Sequence, residues 1–427
     1  MSQRRTLTML ACLGGCLAVV ASLTAFSLGV SAQTFRAAVD LIAVDVQVTG
    51  RDGRPITTLG PGDFEVTLDG RTRRVVSASF TQHAISPIDG STRDLNPSQP
   101  TPLGAAAAQG RTFIIAVDTP SFTSLDVRVA TVAAERFTRQ LGPLDRVGVV
   151  VLPDGPLLPA TSSHAAARQV LARIVGRKSP PGHMDMPLED IIDITAAMES
   201  QLQGALRTTV RRIVADDDFG MDAGDTLYCA GTVAACTEQT MSEAFSQAMA
   251  LEQDVLRSLA GLDALLVELR EVPGRKSVLL LSGGMPVSDR SGGRLTLSNE
   301  MKRLGVQVAY ANATVDAIFF DPSAQDSFAA TNRGAGILSS RARSIYTRAL
   351  AEFAEPSGGM LLTSSAGDGS SEIDRIVERV ANYYLLGVES EARDRDGRPH
   401  QIRVRVNDRD WTISHRQLVI VTGAAGP

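Results

Sequence analysis

Between residues 37 and 80 the chain alternates. Asp40, Ile42, Val44, Val46 and Val48 make one face, Val39, Leu41, Ala43, Asp45 and Gln47 the other, and the first set is the apolar one. That two-residue period predicts a half-buried β-strand. Turns follow at Arg51-Asp-Gly-Arg-Pro55 and Leu59-Gly-Pro-Gly62. Asp63–Leu68 then reads as a strand, Asp69-Gly70 as a hairpin turn, and Arg73–Phe80 as the partner strand.

From residue 111 the pattern changes to short apolar runs separated by amphipathic ones. A strand at 112–117 precedes a helix near 125–141, where Leu125, Val129, Val132, Phe137 and Leu141 share a face. Asp145–Leu152 is a second apolar strand and His164–Val175 a helix. After a long amphipathic helix over roughly 239–271 comes strand Ser277–Leu281. A helix around 298–304, a strand over Val306–Ala311, a helix over 340–354, a strand near Gly359–Thr363 and a helix over 370–382 complete the series. Tyr383 opens a second β-region, with a turn at Asp394–Gly397 and strands near 401–406 and 417–421.

Strands alternating with helices imply right-handed crossovers, hence an α/β fold with a doubly wound, mainly parallel sheet. The chain divides into a targeting segment (1–32), an N-terminal β-region (37–82), a linker rich in Pro, Ser, Gly and Ala (83–110), the α/β domain (111–382) and a C-terminal β-region (383–427). Residues 177–240 interrupt the alternation as an insertion, partly helical between 188 and 214. Each β-region alone is small for a stable core, so the two are expected to form one β-sandwich around the inserted α/β domain.

Composition narrows the function classes. Of 427 residues 4% are aromatic and the net charge is −5, which leaves neither stacking platforms nor a polyanion footprint for nucleic acid. Arg4 and Arg5 precede an apolar stretch from Leu7 to Val30, and Val30-Ser-Ala32 makes a small-residue cleavage site. A secretory signal is the first reading. An uncleaved anchor helix is the alternative, the one route to a membrane the sequence offers. Export places the mature chain in a periplasmic, envelope or extracellular setting. Cys229 and Cys236 would remain there and are expected to form a local disulfide. A zinc site is weaker, with no His nearby.

Candidate chemistry centres on Asp118, where the first apolar strand of the α/β domain stops on a carboxylate before Ser, Thr and Pro. Open α/β sheets bind ligands beyond the carboxyl ends of their strands. Asp118 is therefore either a ligand for a hard cation or, with Ser121 and Ser124, part of turn and helix-cap hydrogen bonding. Other chemistry is poorly supported. Ser282 lacks a nucleophile elbow, because Leu280 holds the first glycine position. Gly274-Arg-Lys-Ser277 lacks the Gly-Lys pair of a phosphate loop, and a strand follows it. The acidic run Asp216–Asp225 has Leu227 where a calcium loop needs Glu. The histidines are scattered, so no catalytic residues are expected and the chain is read as a non-enzyme.

The chain resembles the exported von Willebrand factor A-related proteins of acidobacteria. The resemblance rests on Val46–Pro55, Leu59 and Gly62–Gly70, on Phe113-Ile-Ile-Ala-Val-Asp118, on Pro273–Gly284, on Val306-Gln-Val-Ala-Tyr310 and on Ala381–Gly387, in that order. It implies an A-domain with helices on both faces of a central sheet, often carrying a metal-ion-dependent adhesion site. That site uses Asp-x-Ser-x-Ser after the first strand, a Thr from a later loop and an Asp after the fourth strand, a donor set suited to Mg²⁺. Here Pro120 and Phe122 replace the two serines and Gly283 stands where the last Asp is expected. Ser121, Ser124 and Asp126 could supply substitute oxygens only on a different loop path. The expectation is a degenerate A-domain without resident cofactor that binds an unidentified protein partner. Cation-dependent adhesion through a rearranged site at Asp118, Ser121 and Ser124 is the alternative, and a structural envelope component the third.

Overall fold

The structure is a computed structural model that describes residues 41–83, 110–178, 186–200, 204, 206, 208–210, 233–291, 293–321, 338–365, 368–406 and 410–422. The targeting segment, nearly all of the linker and Cys229 lie outside them, as does any statement on the expected disulfide. Cys236 belongs to a helix.

Strands β1 (Leu41–Thr49), β2 (Phe64–Leu68), β3 (Arg71–Arg73) and β4 (Val75–Gln82) form the N-terminal β-region. In the α/β region come β5 (Thr112–Asp118), α1 (Asp126–Gln140), β6 (Arg146–Leu152), β7 (Gly155–Thr161), α2 (His164–Leu171), α3 (Leu188–Glu199) and α4 (Val233–Leu269). It continues through β8 (Lys276–Ser282), α5 (Ser298–Tyr310), β9 (Ala313–Phe320), α6 (Ser340–Ala354), β10 (Leu361–Ser364) and α7 (Ser370–Ala381). The chain closes with β11 (Asn382–Glu389), β12 (Asp396–Val406), β13 (Thr412–His415) and β14 (Leu418–Thr422).

The α/β region is built on a six-stranded sheet of order β10-β9-β8-β5-β6-β7, parallel except for β7, which runs antiparallel to β6 at one edge. The order reverses between β8 and β5, so a crevice opens there beyond the strand ends. Strands buried on both faces explain the continuous apolar runs. On one face Ile114, Ala116, Val278 and Leu280 pack with Leu259, Leu262 and Leu266 of α4, Leu304 of α5 and Phe353 of α6. On the other, Phe113, Ile115 and Val117 pack with Phe137 of α1, Leu171 of α2 and Ile376 of α7. Helices therefore cover both faces, as a doubly wound sheet requires.

Two antiparallel four-stranded sheets complete the molecule, β13-β1-β11-β4 and β14-β12-β2-β3. Each combines strands from before and after the α/β region. Ile42, Val44, Val46 and Leu386 from the first and Phe64, Val66, Ile402 and Val419 from the second share one core. Tyr384 fills its centre, edge-on to Phe64 and Phe80, and its hydroxyl accepts the Leu59 N–H at 2.9 Å.

Polar contacts join these sheets to the α/β region. Asp45 receives Arg275 at 3.1 Å and Arg416 at 3.2 Å, and the Arg275 guanidinium lies 4.6 Å over the Tyr383 ring. Gln47 donates to the Arg379 carbonyl at 2.8 Å, while the Arg379 side chain forms a buried ion pair with Asp316.

One stretch corrects the sequence reading. Val306–Ala311 is not a strand: α5 runs on to Tyr310, and the strand is Ala313–Phe320. Met301, Leu304 and Val308 are the buried positions, a helical spacing that the β-branched Val306 and Val308 obscured. β9 is buried at every position, so it carries no alternation to read. Likewise α2 stops at Leu171, short of Val175, which is exposed.

His400 supplies a pH test of the antiparallel core. Buried, it bonds Asp69 through Nδ1 at 2.7 Å and Asp396 through Nε2 at 3.0 Å. The Asp69 hydrogen bond, with support from Asp396, holds its pKa above the ordinary 6.5. A raised folded pKa stabilises fully below 6.5 and loses that contribution as pH rises through the folded value. The stability advantage of the native chain over His400→Gln should therefore shrink as pH increases above 6.5, read by urea unfolding at each pH. An advantage that stays constant would show that the pair does not titrate.

Candidate functional site

β5 and β8 lie side by side, and their carboxyl ends deliver Asp118 and Ser282 to one point. Asp118 is fully buried, and no arginine or lysine is bonded to it among the described residues. Its Oδ2 accepts the Ser282 hydroxyl at 2.7 Å. Its Oδ1 accepts the Ser258 hydroxyl at 2.6 Å, from the middle of α4. Burial pushes the Asp118 carboxyl above the ordinary 3.8, against the hydroxyl bonds that favour the anion.

Ser121 knits the two loops together. Its hydroxyl donates to the Asp118 carbonyl at 2.7 Å and accepts the Gly283 N–H at 2.7 Å. The Ser282 hydroxyl in turn accepts the Gly284 N–H at 3.0 Å. The β5 and β8 loops are thus drawn so close that a Cβ on Gly283 would stand 2.4 Å from the Ser121 carbonyl oxygen. The position at which the resemblance implies a second carboxylate has no room for a side chain.

Ser124 does not join this cluster. It is exposed, and the Thr123 hydroxyl one residue earlier accepts the Asp126 N–H at 3.2 Å where α1 begins. Asp126 accepts the Thr123 hydroxyl at 2.7 Å and is likewise occupied with the helix start. Pro120 and Phe122 flank Ser121, and Phe122 is buried against Phe320. Of the candidate set Asp118, Ser121 and Ser124, only the first two converge.

Above this floor opens a cavity of about 500 Å³, within the size range of ligand pockets. Pro120, Ser121 and Thr123 form one wall, Gly283, Gly284, Met285 and Pro286 another, and α4 the third through Glu243, Ser246, Gln247, Ala250, Asp254 and Ser258. Lys178 also reaches it, held by backbone bonds from Arg177 to Thr119 and from Lys178 to Phe122, each 2.8 Å. Its exposed ammonium is matched there by the Glu243 and Asp254 carboxylates of α4, so the lining carries both signs of charge.

Ser258 escaped the sequence reading. Its signal was available: it falls within the apolar stripe of α4, beside Val255, Leu259 and Leu262, and a buried hydroxyl in such a stripe needs a partner. What the sequence could not supply was that the partner is Asp118, 140 residues away.

No family model matches the chain, and no curated protein matches it. Among solved structures, a conserved hypothetical protein BatB from Bacteroides thetaiotaomicron shares 13% identity, covering 64% of this chain and 97% of that one, with a TM-score of 0.29. An aerotolerance-related membrane protein from Bacteroides fragilis NCTC 9343 shares 11%, covering 63% and 100%, with a TM-score of 0.30. A von Willebrand factor type A structure from Catenulispora acidiphila shares 9%, covering 91% and 76%, with a TM-score of 0.31. The fold rests on the strand order β10-β9-β8-β5-β6-β7 of the chain itself.

Two substitutions test the cluster. Because its folded pKa is raised, Asp118 binds its proton more tightly in the fold, and its contribution declines as pH climbs above 3.8. Asp118→Asn removes the charge but keeps the shape, so it should melt higher than the native chain at neutral pH, with the gap closing in acid. A lower melting temperature at neutral pH would mean the ionised form is a net stabiliser. Gly283→Ala should cost about 1–3 kcal/mol in chemical unfolding, since backbone must move to admit the methyl group.

Proposed function

We propose that the chain is an exported, non-catalytic binding protein built on an A-domain whose metal-ion-dependent adhesion site has been closed. Its crevice recognises a protein partner without a resident cation. The observation that carries this reading is the packing of Gly283 against Ser121, which leaves no space for the second carboxylate. Export rests on the N-terminal segment alone, which makes a periplasmic, envelope or extracellular location part of the proposal. The non-catalytic reading takes the Ser282–Asp118 contact as structural, because both groups are fully buried and Asp118 also accepts the Ser258 hydroxyl.

Cation-dependent adhesion is the second reading, and one observation favours it. Ser258, Ser282 and Ser121 gather hydroxyl oxygens around a buried carboxylate, a hard-oxygen set of the kind Mg²⁺ accepts. In the first reading those hydroxyls already bond Asp118 and its loop.

Isothermal titration with Mg²⁺ or Mn²⁺ separates the two. The metal-independent reading expects no saturable heat from the native chain. Saturable binding that Asp118→Ala abolishes would establish the cation site instead. For the crevice, Ser246→Arg with Ala250→Arg places two bulky cations on its wall from exposed positions. Partner capture from envelope extract should be lost in this variant and unaffected by chelator. Capture that survives the double substitution would remove the crevice as the binding surface.

A further inference from the structure

Each of the three sheets has two edge strands, and an exposed edge offers unpaired backbone to any other strand. Five of the six edges are blunted. β7 carries Pro156 and Pro159. β10 and β13 have only four residues each. β3 is three residues long with arginine at both ends, and β14 lies against α5. β4 is the longest of the six and the one without proline or charge that exceeds five residues, touched by the turn Pro61–Asp63. Its eight residues, Val75-Val-Ser-Ala-Ser-Phe-Thr-Gln82, include no charge and no proline. On one side β4 pairs with β11, and on the other it has no strand neighbour among the described residues. A bulge beside Val76 disturbs its start, but Ser77–Gln82 run in unbroken register along Gly387–Asn382.

We propose that two copies of this chain join edge to edge through β4, as an antiparallel pair related by a two-fold axis, and merge their four-stranded sheets into one of eight strands.

Charge selects a second copy over an unrelated strand. In an isologous pair every residue meets a residue of the same set, so a charged edge repels itself. The β4 edge is neutral beyond its own limits. Arg74, just before it, is neutralised by Glu389 at 2.8 Å. His83, just after it, stacks on Tyr383, and burial with the nearby Arg111 pushes its pKa down to about 4, so it is uncharged at neutral pH. A two-fold axis perpendicular to the sheet keeps each face on its own side. Ser79 then meets Ser79 of the second copy and Thr81 meets Ser77, whose hydroxyl is buried beside Gly387, and Ala78 and Phe80 extend the inner apolar face. Ser and Thr pairs across strands are favourable in this arrangement. With Ser79 on the axis, the five residues Ser77–Thr81 give about 17 Å of ladder.

Sedimentation of the full-length chain in mild detergent over a concentration series tests the pairing. The native chain is expected as a concentration-dependent dimer. Val76 and Gln82 are exposed, sit near opposite ends of β4, and face each other across an antiparallel self-pair. The double variants Val76→Lys with Gln82→Lys, and Val76→Glu with Gln82→Glu, should each weaken association by about tenfold or more. Mixing the lysine and glutamate chains should restore it as a heterodimer. Unaltered thermal melting of each variant confirms that the fold is intact. A native chain that stays monomeric throughout overturns the proposal. So does a dimer indifferent to both double variants, or a mixture that associates no better than its parts.

Discussion

The molecule depends on β11 lying between β1 and β4. The chain leaves the antiparallel sheets at Gln82 and returns at Asn382, and these two residues are paired across the ladder. The whole α/β region is thus a loop whose ends are pinned in adjacent strands. His83 adds a backbone bond to the Ala381 carbonyl at 2.9 Å, and α7 passes into β11 without an intervening linker. Closing a long loop costs little more than closing a short one. The consequence is positional: a helix of the six-stranded sheet and a strand of the other core are one continuous piece of backbone, so neither can turn freely against the other.

Buried charge reinforces that placement. Asp145, Asp316, Asp321 and Asp394 are all buried, and each is met by an arginine: Arg111, Arg379, Arg343 and Arg73. An ion pair removed from water stabilises little by itself, but losing one partner is costly, so such pairs fix geometry. Asp118 is handled differently. It sits as deep as the others with hydroxyls for partners, and a hydroxyl neutralises no charge. Its raised pKa is the electrostatic trace of that difference.

What could be read from the sequence followed periodicity. The apolar face of Ile42, Val44, Val46 and Val48 and the helix over 340–354 carry their period in the residues themselves, while the strand ending on Asp118 shows as a short apolar run stopped by a carboxylate. β9 does not, because a strand covered on both faces loses its alternation, and the valines of α5 drew the strand assignment onto the helix before it. The site was legible by half. Asp118, Ser121 and Gly283 follow from strand ends and local loops. Ser258 comes from a helix whose position over the crevice is set by tertiary packing, and Lys178 from a segment placed by backbone bonds to the β5 loop. Neither relation has a spacing that a linear pattern can express.

α4 ties the site to the part of the chain that departs most from a plain α/β repeat. Its 37 residues make a rod of roughly 55 Å. Leu259, Leu262 and Leu266 anchor one half on the sheet, while Ala244 and Ala248 pack the other half against Ile191 and Ile194 of α3. The crevice wall lies where the two halves meet, and Ser258 belongs to the same rigid helix. The α3 contact and the Ser258–Asp118 bond are therefore joined through one element, with two packed surfaces in series rather than a chain of separate contacts. An arginine in place of that serine would hold Asp118 with a full charge. A hydroxyl can be replaced by water at small cost. The floor of the crevice is thus a place in this sheet where a buried carboxylate is held by hydroxyl bonds and not by an ion pair.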